Sequence, residues 1–97
     1  MSGATATVPT ASARRYLGQF VKHFAHKLPV ELDEANTAGR VNFGKGACSL
    51  AAGETALYLT ISAETPEDVT MLQDVVDRHL VRFAFREEIA LDWQAAA

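Results

Sequence analysis

Apolar residues recur at a helical period along residues 10–28. Tyr16, Leu17, Phe20, Val21, Phe24 and Leu28 fall at i, i+1, i+4, i+5, i+8 and i+12, one wide apolar stripe on an amphipathic helix. Thr10 or Ser12 is placed to cap its start. Pro29 is expected to stop it, because a proline pushes the residue before it out of the helical region. Gly18 is a weak point at an interior position, costing about 1 kcal/mol against alanine. His23 lies at the edge of the stripe and His26 on the wet side.

Elsewhere the pattern changes to a period of two, the alternation of strands. Residues 4–8, 30–33, 40–43, 47–51 and 57–62 read as strands, with turns at 34–39, 44–46 and 52–55. The short turns imply antiparallel pairing. A second helix follows, with Thr65 as cap, Pro66 in its first position, and Glu67 and Asp68 suited to its positive end. Val69, Leu72, Val76, His79, Leu80 and Phe83 form its apolar stripe, and it should end near Phe85. Ile89, Leu91 and Trp93 then alternate with polar or small residues as a last strand, after which residues 94–97 are expected to fray. The order is β-α-β-β-β-β-α-β. Two amphipathic helices need a surface to cover, so the predicted fold class is α+β: a two-layer sandwich, an antiparallel sheet with two helices on one face. Phe20, Phe24, Leu59, Ile61, Leu72, Val76 and Leu80 should share one core, joined by Phe83, Phe85 and Trp93.

Composition narrows the class. Residues 1–97 make a single domain, with an ordered core expected over about residues 4–94. A hydrophobic fraction of 48% with 22% charged residues is that of an ordinary globular domain. There is no apolar run long enough to span a membrane and no signal-peptide pattern at the start, so the cytoplasm is the expected compartment. Cys48 is the sole cysteine, which excludes an internal disulfide, and its strand-like setting suits a buried thiol. The net charge is −3, unevenly spread. Arg14, Arg15, Lys22 and Lys27 stand in the first thirty residues with no acid, while the remainder holds five bases and twelve acids. Such asymmetry marks either an anion-binding face or a basic helix lying beside acidic neighbours. Nucleic acid is not an expected partner: the chain is acidic and has no basic-aromatic platform.

Three sets of side chains are candidates for chemistry. His23 and His26, three apart, could share a metal ion if His79 or Cys48 came near, or one of them could ligate haem. The plainer account is that both serve the helix C-terminus, where free carbonyls favour imidazolium. His79 is either a core histidine or a general base, the latter needing an orienting carboxylate such as Asp77 or Glu87. Arg82 and Arg86 share a face if the second helix reaches Arg86, and with His26 and Lys27 they could bind a carboxylate or phosphate. Otherwise they pair with Asp77, Glu87 or Glu88 on the surface, to little effect. No catalytic motif of a known hydrolase or metalloprotease pattern is present, Gly44-Lys45-Gly46 is too short for a phosphate loop, and the residues name no cofactor.

With these segments in place, three blocks carry a family resemblance. They are Arg15-Tyr16-Leu17 through Lys22-His23-Phe24-Ala25-His26-Lys27, then residues 39–50 with Phe43, Gly46 and Cys48, then His79-Leu80-Val81-Arg82-Phe83-Ala84-Phe85-Arg86-Glu87-Glu88. Over about residues 5–93 the chain resembles an uncharacterised bacterial family, domain of unknown function 2218. The resemblance implies no established activity. It does imply an association with siderophore-interacting flavin reductases, to which similar domains are joined or beside which they are encoded, and hence with bacterial iron acquisition. The expected function is a non-catalytic accessory domain that binds such a partner or a small anionic ligand. The alternatives are a histidine-based metal or haem binder and, third, a small enzyme using His79 as base.

Overall fold

Small or branched apolar residues alternate with hydroxylated ones, which gives each long strand one dry face and one wet face. The computed structural model describes residues 2–84 and 86–96. In it β1 (Ser2–Pro9) leads into α1 (Ala13–Phe24). A meander of β2 (Val30–Leu32), β3 (Ala38–Asn42), β4 (Gly46–Ala52) and β5 (Ala56–Ala63) follows, then α2 (Pro66–Phe83) and β6 (Gln94–Ala96). The strands form one antiparallel sheet in the order β2-β3-β4-β5-β1-β6. The expected α+β class and element order are both observed. The two edge strands have three residues each, so little unpaired backbone is offered to a neighbouring molecule.

Both helices pack on each other and on the same side of the sheet. Against them stand Ala4, Ala6 and Val8 of β1, Leu57, Leu59 and Ile61 of β5, and Cys48, Leu50 and Val41, all buried with Phe20, Leu17, Leu72, Val76 and Leu80. The expected core is therefore present, with Phe24 half-buried at its margin and Phe83 and Trp93 packed against it. Phe85 lies outside the described residues. On the opposite face Gln94, Thr5, Thr60, Ser49, Arg40 and Glu31 stand in one row across all six strands. No helix among the described residues is long and apolar enough to cross a membrane. Cys48 is fully buried, and burial pushes its thiol up to about 12, so it is inert at neutral pH.

Four local expectations need correction. First, α1 ends at Phe24, not at the residue before Pro29. The Pro29 carbonyl already accepts the Asn42 N–H at 3.0 Å beside the sheet, so residues 25–28 must turn the chain before the proline is reached. Second, neither Thr10 nor Ser12 caps α1 through its side chain. Thr10 Oγ1 accepts the Ser12 N–H at 3.0 Å and donates to Glu87 instead. Third, Gly18 is not simply a weak point that alanine would relieve: a Cβ there would come within 2.6 Å of Asn36 Nδ2, so the Asn36 side chain would have to move to admit it. Fourth, residues 89–93 run without strand pairing, and β6 is formed by Gln94–Ala96, where fraying was expected. Ile89, Leu91 and Trp93 do alternate inward, but only Ala96, Ala95 and Gln94 reach the free edge of β1, opposite Gly3, Ala4 and Thr5. Ala97 lies outside the described residues.

Candidate functional site

The basic stripe of α1 and the apolar stripe of α2 meet at one end of the helical layer. His23 leaves the last turn of α1 and His79 the last-but-one turn of α2, and their ring centroids are 5.0 Å apart. Phe24 lies edge-on to His23 at 5.0 Å and 4.8 Å from His79. Phe83 stands 5.5 Å from His23, and Phe43, from the turn between β3 and β4, meets Phe24 at 5.1 Å. All of these rings are half-buried except that of His23, which is exposed. Phe20, fully buried, ties the cluster to the core through Phe24 at 5.0 Å.

The Nδ1 of His79 lies 2.7 Å from the Val75 carbonyl. A carbonyl only accepts, so Nδ1 carries the proton and a neutral His79 keeps its lone pair on Nε2. His23 is held below the ordinary imidazole range. Partial burial of its ring is the largest cause, followed by the like charges of His79, His26, Arg82 and Lys27. His26 and Lys27 sit in the turn after α1, and with His23, Phe24 and Leu28 they line an open cleft of about 440 Å³.

Of the sequence-predicted residues, His23, His26, Lys27, His79 and Arg82 thus come together. Arg86 does not share a helix face with Arg82, because α2 ends at Phe83 and the Ala84 N–H closes the last turn on Leu80. The ring partner of His23 is His79 rather than His26. Among the described residues no group of three or more histidine, cysteine or carboxylate side chains is placed to hold a metal ion, so Cys48 does not complete a site with the histidines. Neither carboxylate considered for His79 orients it. Asp77 accepts the Trp93 indole N–H at 2.8 Å. Glu87 accepts Thr10 Oγ1 at 3.0 and 3.1 Å and also the Tyr16 hydroxyl.

That Glu87 cluster escaped sequence reasoning, since its members lie 71 and 77 residues apart. It joins the segment after α2 to the start of α1. The Tyr16 hydroxyl is pushed above the usual phenol range, first by its bond to Glu87, then by burial and the nearby carboxylate charge.

Residues 5–94 match the family described as uncharacterised protein conserved in bacteria, DUF2218. The chain belongs to this family. All three blocks of the resemblance, and every residue of the histidine cluster, lie within the matched span. A DUF2218 chain is also similar to a solved structure, the NMR structure of PA4090 from Pseudomonas aeruginosa. The two share 33% identity over 97% of this chain and 96% of that one, with a TM-score of 0.81. No curated protein matches.

Proposed function

We propose that this DUF2218 domain is a non-catalytic accessory module that binds a small anionic ligand at the end of the helical layer marked by His23 and His79. The observation that carries this reading is the company His23 keeps: His79, His26, Arg82 and Lys27, bases from both helices and the turn after α1. The competing account, that these bases only serve the C-terminus of α1, is weakened by how its carbonyls are used. The Val21 carbonyl accepts the Ala25 N–H, and the Phe24 carbonyl accepts the N–H groups of Lys27 and Leu28. Those two carbonyls are met by backbone and need no side-chain donor, which leaves side-chain charge for a ligand. Titrating acetate and inorganic phosphate while following the His23 ring protons by NMR tests the proposal. Saturable shifts are expected, and those for acetate should strengthen as pH falls from 7.5 to 5.5, because acetate keeps its charge over that range while His23 gains protons. They should weaken in both Lys27→Gln and Arg82→Gln. A His23 signal indifferent to both anions at pH 5.5 overturns the reading.

A second reading is favoured by the tautomer of His79. Two imidazoles facing across the helix pair, one with its lone pair fixed on Nε2 and the other held neutral, make half of a metal site that needs ligands from elsewhere. Its pH dependence has the opposite sign, since protons compete with metal. Zinc binding that weakens on acidification, and is lost in both His23→Ala and His79→Ala, would favour it over the anion.

The place of the module in bacterial iron acquisition, beside a siderophore-interacting flavin reductase, is supported by the family association alone. The proposal is direct binding. A pull-down and a reductase assay with and without the domain should show retention or altered turnover. Neither effect at tens of micromolar, an affinity worth only about 6 kcal/mol, removes the partner.

A further inference from the structure

The rings that floor the cluster say more about the ligand than its charge does. Three of the five phenylalanines, Phe24, Phe43 and Phe83, lie half-buried at this end of the molecule, in edge or tilted contact with one another or with the two histidines. A site for a bare inorganic anion has no use for such a floor, because phosphate and acetate keep their water best against polar donors. Other clefts differ. The one beside the β3–β4 turn, about 370 Å³, sets Arg40 and Lys45 against Glu64 and Asp68, so its charges offset one another. At the histidine end the charges that bear on His23 are all basic among the described residues, and the surface beneath them is aromatic.

We propose that the ligand is a small aromatic anion, a planar ring bearing a carboxylate or phosphate. Its ring stacks in the cleft against Phe24, and its charge meets Lys27 and His26 of the same lining. The proposal rests on the anion reading above and narrows it. Aromatic faces and edges attract one another at ring separations of the kind already seen here, and the ring of the ligand adds one more member to the set. The exposed Lys27 at the rim holds the charged group in solvent-accessible reach, where it stays partly hydrated and is not forced into an apolar interior.

The test compares matched probes on the whole domain at one pH and salt concentration. Benzoate is set against acetate, phenyl phosphate against inorganic phosphate, and benzyl alcohol serves as the uncharged ring. Each is followed through the His23 and Phe83 ring signals. The aromatic anions should bind about three- to tenfold tighter than their non-aromatic partners, the range expected of one added ring contact. Phe24→Leu should narrow that preference, weakening the aromatic anions more than acetate and phosphate. Lys27→Gln and Arg82→Gln, both at exposed positions, should weaken all four anions alike. Benzoate equal to acetate and phenyl phosphate equal to phosphate would overturn the aromatic inference and leave the anion reading standing. Benzyl alcohol binding as tightly as benzoate would also overturn it, since charge would then be unused. No response to any anion removes both. If Phe24→Leu loses its folded spectrum, the wild-type probe comparison still decides.

Discussion

His23 is held below the ordinary imidazole range first by partial burial and then by neighbouring bases, and the second cause can be tested one residue at a time. Removing one of those charges, in Arg82→Gln, should move the His23 midpoint up toward the ordinary value of 6.5. An unchanged midpoint would mean that Arg82 is too far or too well screened to act. The same shift has a sign for stability. A histidine depressed in the folded state binds fewer protons there than when unfolded. Its contribution is therefore complete above 6.5 and is lost as pH falls through that value to the folded midpoint. Urea melts between pH 7.5 and 5 should show that decline, and His23→Gln should flatten it. Glu87 offers a second residue-scale check. Glu87→Leu leaves the hydroxyls of Thr10 and Tyr16 without their acceptor, at a cost of about 1–3 kcal/mol for each buried donor. Glu87→Gln should bring Tyr16 back toward its ordinary value of 10.0, read by phenolate absorbance. Sequence spacing placed His23, His26 and Lys27 together because they are neighbours in the chain. The approach of His79, and of Glu87 to Thr10 and Tyr16, depends on how helices and termini dock, which no local pattern encodes.

Among the elements, α2 shows what a local signal can settle. Thr65 caps it by accepting the Asp68 N–H at 3.1 Å, with Pro66 in the first turn, as the sequence pattern predicts. Thr65→Ala should cost about 1 kcal/mol in urea denaturation. A loss near zero would mean water replaces the hydroxyl at that helix end. The start of α1 carries the same kind of residues, yet Thr10 is drawn to Glu87, a tertiary bond that outcompetes a local one. Element type and order were legible because they follow hydrophobic period. The end of α1 and the position of β6 were not, since each is decided by which backbone groups the neighbouring strand leaves open. For β6 those are the groups of Gly3, Ala4 and Thr5, and the alternation of Ile89, Leu91 and Trp93 belongs to an extended segment packed on the core without a ladder. The charge asymmetry also divides by element. Arg14, on the first turn of α1, helps hold Asp33 below the usual carboxylate range, after the larger effect of hydrogen bonds from Thr37 and Ala38. The basic helix therefore has an acidic neighbour at one end and a cluster of bases at the other.

At the scale of the whole molecule, the core and the candidate site are one packed object. Phe20 is fully buried under the sheet and touches Phe24, which in turn touches His23, His79 and Phe43. Cutting Phe20 to alanine should cost about 3–5 kcal/mol. For a domain whose whole stability is about 5–15 kcal/mol, that is a large share. The more informative comparison is with Leu59, equally buried, on β5 in the interior of the sheet. Leu59→Ala should cost about 2–5 kcal/mol, so the two variants can be matched in global stability at low temperature. If the site is braced through Phe20, the folded fraction of Phe20→Ala should bind phenyl phosphate more weakly than that of Leu59→Ala, with His23 and Phe24 ring signals displaced in the first and not in the second. Equal binding by two variants of equal stability would show that Phe24 is held by its other contacts, with Phe43 and His79, and that the floor of the site does not depend on the core beneath it.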